Sequence, residues 1–392
     1  MRKIAGDIIY PITSKPVTDQ VMLVSDAGQI IGFRDRKEFT EGEIETYRGA
    51  LVPGFVNTHC HLELSHLKNK FPEKTGLIDF LLHVTKLRTE ESEVKQAAID
   101  VAEQEMNMHG IVAVGDMSNT TDSFKTKARG KLYYHTFIEL ISLDPFNVYK
   151  VMEQGEKLLA SARSYGIHAS LAPHAPYSVS SELLKMIARH CYENGKPTTI
   201  HMLECADENL FFYTGGGGFK KLYTELNISL KNFSPSERSS SETILPLFNR
   251  HTKTQLVHNT YATVWDIAWA EDMHPNLFWC LCPQANLYIE NKLPDITLLK
   301  NNVEFITIGT DSLASNHRLS VLDELMIIQK HFPSIQADDL FRWSTLYGAK
   351  FLGIEEKYGS FDTGKFPGVN LIKDFNAETR TFRGKEKVQK IL

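Results

Sequence analysis

The stretch Ala50-Leu51-Val52-Pro53-Gly54-Phe55-Val56-Asn57-Thr58-His59-Cys60-His61 decides the fold. Its apolar run reads as a buried strand, and a strand sends residues two apart to the same face. His59 and His61 therefore leave the strand end side by side. Two neutral imidazoles so placed can ligate one divalent ion. Alone, a His-x-His pair is a common accident of surface strands. Its meaning depends on whether the rest of the chain supplies further ligands.

Working outward, seven more apolar runs follow, each ending in polar residues and separated from the next by helical stretches. They are Ile111–Asp116, Leu132–Phe137, His168–Pro173, Thr198–His201, Thr254–His258, Leu277–Cys280 and Phe305–Asp311. With Leu51–Thr58 they make eight strands alternating with helices, which is the pattern of a parallel (β/α)8 barrel. In such barrels functional residues gather at the C-terminal ends of the strands. Here the first strand ends in His59 and His61, and the fourth at His174. The fifth ends at His201 with Glu204 just beyond, the sixth at His258 and the eighth at Asp311. A lone His at a strand end is usually a hydrogen-bonded structural residue, Asp311 alone could cap a helix, and Glu204 alone could be solvated. Six such coincidences at the same end of one barrel are improbable. His66, His109, His190, His251, His274 and His331 fall in helices or loops and are read as structural.

Either side of the barrel region the period changes. Val21–Val24 and Gln29–Phe33 flank the turn Asp26-Ala27-Gly28, and Val369–Ile372 follows the turn at Gly364-Lys365. The expected architecture is a small β-sandwich domain built from residues 1–50 plus 359–392, around a catalytic barrel of residues 51–358. The polar segment from Asn232 to Thr243 reads as a surface loop. Gly215-Gly216-Gly217-Gly218 lacks the Lys-Ser/Thr of a phosphate loop and reads as a turn or hinge.

Composition narrows the function classes. The 392 residues carry 42% hydrophobic and 23% charged side chains, ordinary for a chain that buries a large core. A formal net charge of −5 with no basic stripe argues against a nucleic-acid partner. No run of about 18 apolar residues exists, so no membrane span is expected. Five scattered cysteines do not form a disulfide framework. Cys280 and Cys282 are expected to be packed thiols, because no second Cys pair completes a metal site. Met1–Asp7 lacks a signal-peptide pattern, and a cytoplasmic location is expected.

At this point the chain resembles the amidohydrolase superfamily, in the branch of cytosine deaminases, chlorohydrolases and S-adenosylhomocysteine deaminases. The matching segments are Leu51–His61, Ala172–Ser178, Ile200–Cys205, Leu256–Asn259, Cys282–Leu287, Gly309–Ser312 and Gly359–Lys365. Phe366–Leu371 departs from the family's usual Ala-Asp pair. The resemblance implies that His59, His61, His201 and Asp311 bind one divalent metal, zinc or iron, which activates a water. It implies that Asp311 also orients the water, Glu204 shuttles its proton to a ring nitrogen and then to the leaving amine, His258 stabilises the incoming oxygen, and His174 hydrogen-bonds the substrate ring. Two-metal members carry a bridging Lys at the end of the fourth strand; Ser170-Leu171-Ala172-Pro173-His174 has none, so a single-metal deaminase of an amino-substituted ring is favoured.

The segment Leu62–Leu67, running on to Gly76–Leu81, is most similar to deaminases of adenosine-type nucleosides. These include the 6-amino-6-deoxyfutalosine deaminases of menaquinone biosynthesis. That substrate bears a benzoate, for which Arg88 is the candidate partner through bidentate recognition; the competing reading of Arg88 is an exposed helix residue. Deamination of a free base of guanine or cytosine type, chlorohydrolase or imidazolonepropionase-like hydrolysis, and a catalytically silent metal-binding member are the alternatives. The expected partners are a purine nucleoside or related heterocycle and water. Relatives often dimerise, so a homodimer is also an expectation of the resemblance.

Overall fold

The structure, a computed structural model, describes residues 1–392. Eight strands form the central barrel: β5 (Phe55–Cys60), β6 (Ile111–Ser118), β7 (Tyr133–Leu140), β8 (His168–Pro173), β9 (Thr198–Met202), β10 (Thr254–His258), β11 (Leu277–Leu281) and β12 (Ile306–Ile308). They pair in parallel as β5-β6-β7-β8 and β9-β10-β11-β12. The barrel closes where these two sheets meet, and both seams are sewn at the C-terminal ends by the residues singled out above. His201 N donates to His174 O at 3.0 Å across one seam, and Thr310 N and Asp311 N donate to His59 O at 3.0 and 3.1 Å across the other. Below them lies a buried polar layer: Gln255 Nε2 donates to Thr58 Oγ1 at 2.7 Å and Thr307 Oγ1 at 2.8 Å, tying β5, β10 and β12. Every member is partnered, so the layer rigidifies the barrel under the site.

The terminal segments form one six-stranded sheet in the order β14-β13-β4-β1-β2-β3. Its strands are β1 (Arg2–Ile9), β2 (Gln20–Val24), β3 (Ile30–Asp35), β4 (Glu45–Pro53), β13 (Val369–Lys373) and β14 (Lys387–Lys390). One face packs Ile4, Met22, Val24, Leu51, Phe361 and Leu371; the other packs Ala5, Val21, Leu23 and Ile44.

One expectation is corrected here. The run Leu51–Thr58 is not a single strand. Leu51 to Pro53 finish β4, pairing with both β1 and β13, so the small sheet extends past residue 50. The chain then breaks at Gly54. Its N–H donates to Pro367 O at 3.0 Å. A Cβ there would stand 2.6 Å from that oxygen and 2.3 Å from Val112 Cγ1, so only glycine lets the sheet and barrel approach this closely.

The Asn232–Thr243 segment is also only partly a surface loop. Ser239 caps a short helix, Ser240–Ile244. Ser240 Oγ and Ser241 Oγ are buried and each donates at 2.5 Å, to Glu208 Oε1 and Asp266 Oδ1. The glycine run is a turn: Gly215 ends the helix Ala206–Thr214 in left-handed conformation, φ 71°, and Gly217, φ 78°, precedes the helix Gly218–Glu225. The five cysteines are free and buried, Cys280 and Cys282 packing with Val257 and Ala285. No helix is long and apolar enough to cross a membrane.

Candidate active site

His59, in β5, is fully buried, and neither ring nitrogen has a hydrogen-bond partner. An orphaned polar atom in the interior is costly and calls for a ligand. His61 follows β5 and brings its Nε2 to 3.3 Å from His201 Nε2. Asp311 Oδ1 lies 3.7 Å from His59 Nε2 and 3.6 Å from His61 Nε2. The ligand atoms of His59, His61 and His201 lie within 4.8 Å of one another. Three nitrogens and a carboxylate oxygen thus converge from β5, β9 and the end of β12, a donor set that fits one divalent ion.

Neighbouring groups fix which atoms point inward. His201 Nδ1 donates to His174 O at 2.7 Å, leaving Nε2 for the cluster. Asp311 Oδ2 accepts from Ser315 Oγ at 2.6 Å, leaving Oδ1 free. Partners of this kind set tautomer and orientation in metal sites. Burial, then the adjacent His59, push the His61 pKa down to about 3; burial likewise drives His201 well below its usual value. Both are held neutral, the form that ligates metal. For Asp311, burial acts upward, but His59, His61 and His258 outweigh it and hold the group as a carboxylate.

Glu204 and His258 face this cluster as a pair, His258 Nε2 lying 3.5 Å from Glu204 Oε1. His258 Nδ1 donates to Asn286 Oδ1 at 2.8 Å, so Nε2 is the free nitrogen. Burial, then the charges of Asp311, Glu208 and Glu290, raise Glu204 well above the carboxylate range. A carboxyl group so raised holds a proton more readily than an ordinary carboxylate. Glu208 anchors the loop that carries it, accepting from Leu203 N at 2.9 Å and Glu204 N at 3.3 Å. Leu203, His258, Asn259 and Asp311 all adopt positive φ, 51°, 76°, 54° and 56°. Strained backbone of this kind persists only where its surroundings over-determine it, and it concentrates at functional sites.

The cluster forms the floor of a cavity of about 190 Å3. His174 stands on its wall, Nδ1 hydrogen-bonded to Ser178 Oγ at 2.7 Å. Opposite, the helices Leu77–Leu87 and Gly218–Glu225 contribute Leu77, Phe80, Leu81, Val84 and Leu222, with Leu226 just beyond. Tyr177 stacks on Phe219 with ring centroids 4.2 Å apart and accepts at its carbonyl from the Tyr223 hydroxyl, fixing the second helix over the cavity.

All eight residues expected from sequence therefore meet in one place, Arg88 included. Arg88 caps the first of these helices and lines the cavity. It is not a free surface arginine: its guanidinium is 3.5 Å from the buried Glu63 and donates to Asn119 Oδ1 at 3.3 Å. Sequence reading missed Asn286, Glu63, Asn119 and Glu139. Asn286 lies within a segment already matched, Cys282–Leu287. Glu139 needed only the third strand to be followed two residues past Phe137, since β7 runs to Leu140. Glu63 lies within the singled-out segment Leu62–Leu67, and Asn119 carried no local signal.

The family described as Amidohydrolase family matches residues 50–390. The chain is similar to an adenosine deaminase of Helicobacter pylori, 26% identical over 328 residues, spanning 82% of this chain and 78% of that protein. It is 25% identical over 389 residues to a 5-methylthioadenosine/S-adenosylhomocysteine deaminase of Teredinibacter turnerae, spanning 91% and 81%. Among solved structures, Helicobacter pylori aminofutalosine deaminase in complex with methylthio-coformycin superposes over 100% of both chains, with TM-score 0.81 and 21% identity.

Proposed function

This chain belongs to the amidohydrolase family, a hydrolase acting on C–N bonds, and from that premise we propose that it deaminates an adenosine-type nucleoside. Water adds at the amino-bearing ring carbon, the C–N bond breaks, and ammonia leaves. The observation that carries this reading is the Glu204–His258 pair, 3.5 Å apart, set against the His59, His61, His201 and Asp311 cluster at the floor of a largely apolar cavity.

A divalent ion, zinc or iron, held by those four residues would lower the pKa of a water and so supply the nucleophile. Asp311, with Oδ2 engaged by Ser315, would hold the ion through Oδ1 and so stand beside the water it has to orient. Glu204 takes the water's proton, passes it to a ring nitrogen and then to the departing amine; its raised pKa suits both transfers. His258, steadied by Asn286, presents Nε2 to the oxygen being added. His174 is placed to hydrogen-bond the ring from the wall.

The apolar helices opposite favour a substrate whose sugar bears an apolar 5′ substituent over a free base. Arg88, one turn beyond Val84, is the cation a benzoate on that substituent would meet, which is why 6-amino-6-deoxyfutalosine is the preferred candidate. Ammonia release tests the reading on a panel of adenosine, 5′-deoxyadenosine, methylthioadenosine, S-adenosylhomocysteine, aminodeoxyfutalosine, guanine and cytosine. The nucleosides should be turned over and the free bases not. Metal-loaded protein that releases ammonia from none of them sinks the proposal. Arg88→Ala should lower kcat/KM for the benzoate-bearing nucleoside by about tenfold or more beyond whatever it costs 5′-deoxyadenosine. Equal effects on both would remove Arg88 from substrate recognition.

A further inference from the structure

Glu139, at the end of β7, lines the cavity and is about nineteen-twentieths buried, at 5% exposure. Its two carboxylate oxygens have different surroundings. Oε2 accepts from Asn119 Nδ2 at 3.0 Å. Oε1 is buried with no partner. A buried carboxylate oxygen without a donor is costly, so the molecule leaves this acceptor for something that enters the cavity.

His201 Nδ1 is 3.8 Å from Oε1 but is already engaged, donating to His174 O at 2.7 Å. Asn119 is fixed from both ends: its Oδ1 accepts from Arg88 Nη2 at 3.3 Å, and its amide donates to Glu139 O at 2.9 Å as well as to Oε2. Asn119 thus holds the carboxylate in place and leaves Oε1 as its unpaired oxygen. A Glu139 oxygen and ring nitrogens of His174 and His201 lie within 4.8 Å of one another.

The donors an adenosine-type nucleoside offers are few. They are the ring amino group and the sugar hydroxyls. The amino group is the leaving group and belongs with Glu204 and His258. By elimination the donor for Oε1 is a sugar hydroxyl. Resting on the deaminase reading above, we propose that Glu139 is a specificity-determining residue: its Oε1 accepts a hydrogen bond from a ribose hydroxyl of the substrate, with Asn119 positioning the carboxylate.

The test compares kcat/KM for adenosine, 2′-deoxyadenosine and 3′-deoxyadenosine in the metal-loaded wild type and in Glu139→Met and Glu139→Gln. Wild type should prefer adenosine over at least one deoxy analogue by about tenfold or more, the strength of a hydrogen bond to a charged acceptor. Glu139→Met should bring that preference to within about twofold. Glu139→Gln, the smaller change should Met fail to fold, must point its amide oxygen at Asn119 and its NH2 at the cavity; it replaces an acceptor by a donor and should also weaken the preference. Metal content, read by mass spectrometry, should be unchanged. A preference that survives in the folded variants overturns the inference, as does a loss of metal with the preference intact, which would make Glu139 a partner of His201 instead. Wild type inactive on every nucleoside would overturn the deaminase reading itself. Wild type active with no hydroxyl preference overturns this inference alone.

Discussion

Lys127→Met should weaken the fold and the candidate metal site together. Lys127 and Asp116 form an ion pair with N–O 2.6 Å, both side chains having no solvent exposure. The ammonium has three donors, and all are used: Asp116 Oδ2, Ser118 Oγ at 3.0 Å and Thr136 Oγ1 at 3.0 Å. Asp116 Oδ1 in turn accepts from Leu62 N at 2.8 Å, the peptide next to His61. Removing the lysine leaves a buried carboxylate with only that N–H and the Ser118 hydroxyl, at 3.3 Å. Breaking a buried pair from one side costs about 3–5 kcal/mol. Two surviving donors put this case at the lower end, about 3 kcal/mol. With a urea slope of roughly 3 kcal/mol/M, the midpoint should fall by about 1 M. Because Asp116 also sets the Leu62 peptide, the affinity for zinc should fall by about ten- to a hundredfold, as is usual when a group orienting a ligand is disturbed. Adding Asp116→Asn removes the unpaired charge and should recover more than half of the lost stability, since two neutral partners tolerate burial better than one lone ion. Urea unfolding and zinc titration of wild type, single and double variants read all of this. A single variant unfolding within about 0.2 M of wild type would refute the reasoning, because the pair would then carry no net energy.

Three further outcomes are expected. Glu204→Gln should keep its metal and lose about 10²–10⁴-fold in kcat, as removal of a proton shuttle does; full turnover in that variant would take Glu204 out of the chemistry. Asn286→Leu leaves His258 Nδ1 without its acceptor, so kcat should fall about ten- to a hundredfold with metal content unchanged, measured by steady-state kinetics beside mass spectrometry. His135 is buried, and burial, then the positive charges of Lys196 and His168, lower its pKa to about 3. Its unfolded value of about 6.5 is higher, so below pH 6.5 the unfolded chain takes up a proton the folded chain refuses, and stability is lost as pH falls. Between pH 7.5 and 5 this amounts to about 2 kcal/mol; His135→Asn should lose that much less stability over the same range, and parallel pH profiles would contradict it.

What was legible in the sequence is what local periodicity encodes. A strand has a period of two, so a polar residue at the end of each apolar run declares its face and its end of the barrel. That is enough to bring His59, His61, His174, His201, His258 and Asp311 together, although up to 252 positions separate them, from 59 to 311. What was not legible depends on contacts made at long range. Nothing local breaks the run Ala50–Val56 in two except Pro53-Gly54. The reason for the break is Pro367 O and Val112, met only in the folded chain. The Arg88–Asn119–Glu139 chain joins the end of the helix Leu77–Leu87, the residue after β6 and the end of β7, and no spacing rule links its members. The same holds for Asp116. It sat in plain view at the end of the second predicted strand, yet it looked like any strand-end carboxylate until Lys127 was found against it, in the short helix Phe124–Lys127. Metal-capable residues announce themselves by type. The groups that aim them are ordinary Asn, Ser, Asp and Lys, and only geometry separates these from their solvated counterparts. The proposed substrate preference rests on this second kind of residue. The ligand cluster could therefore be read from the strand ends and its chemistry from the family resemblance, whereas the part of the substrate beyond the ring is proposed to meet the wall made by Glu139, Asn119 and Arg88.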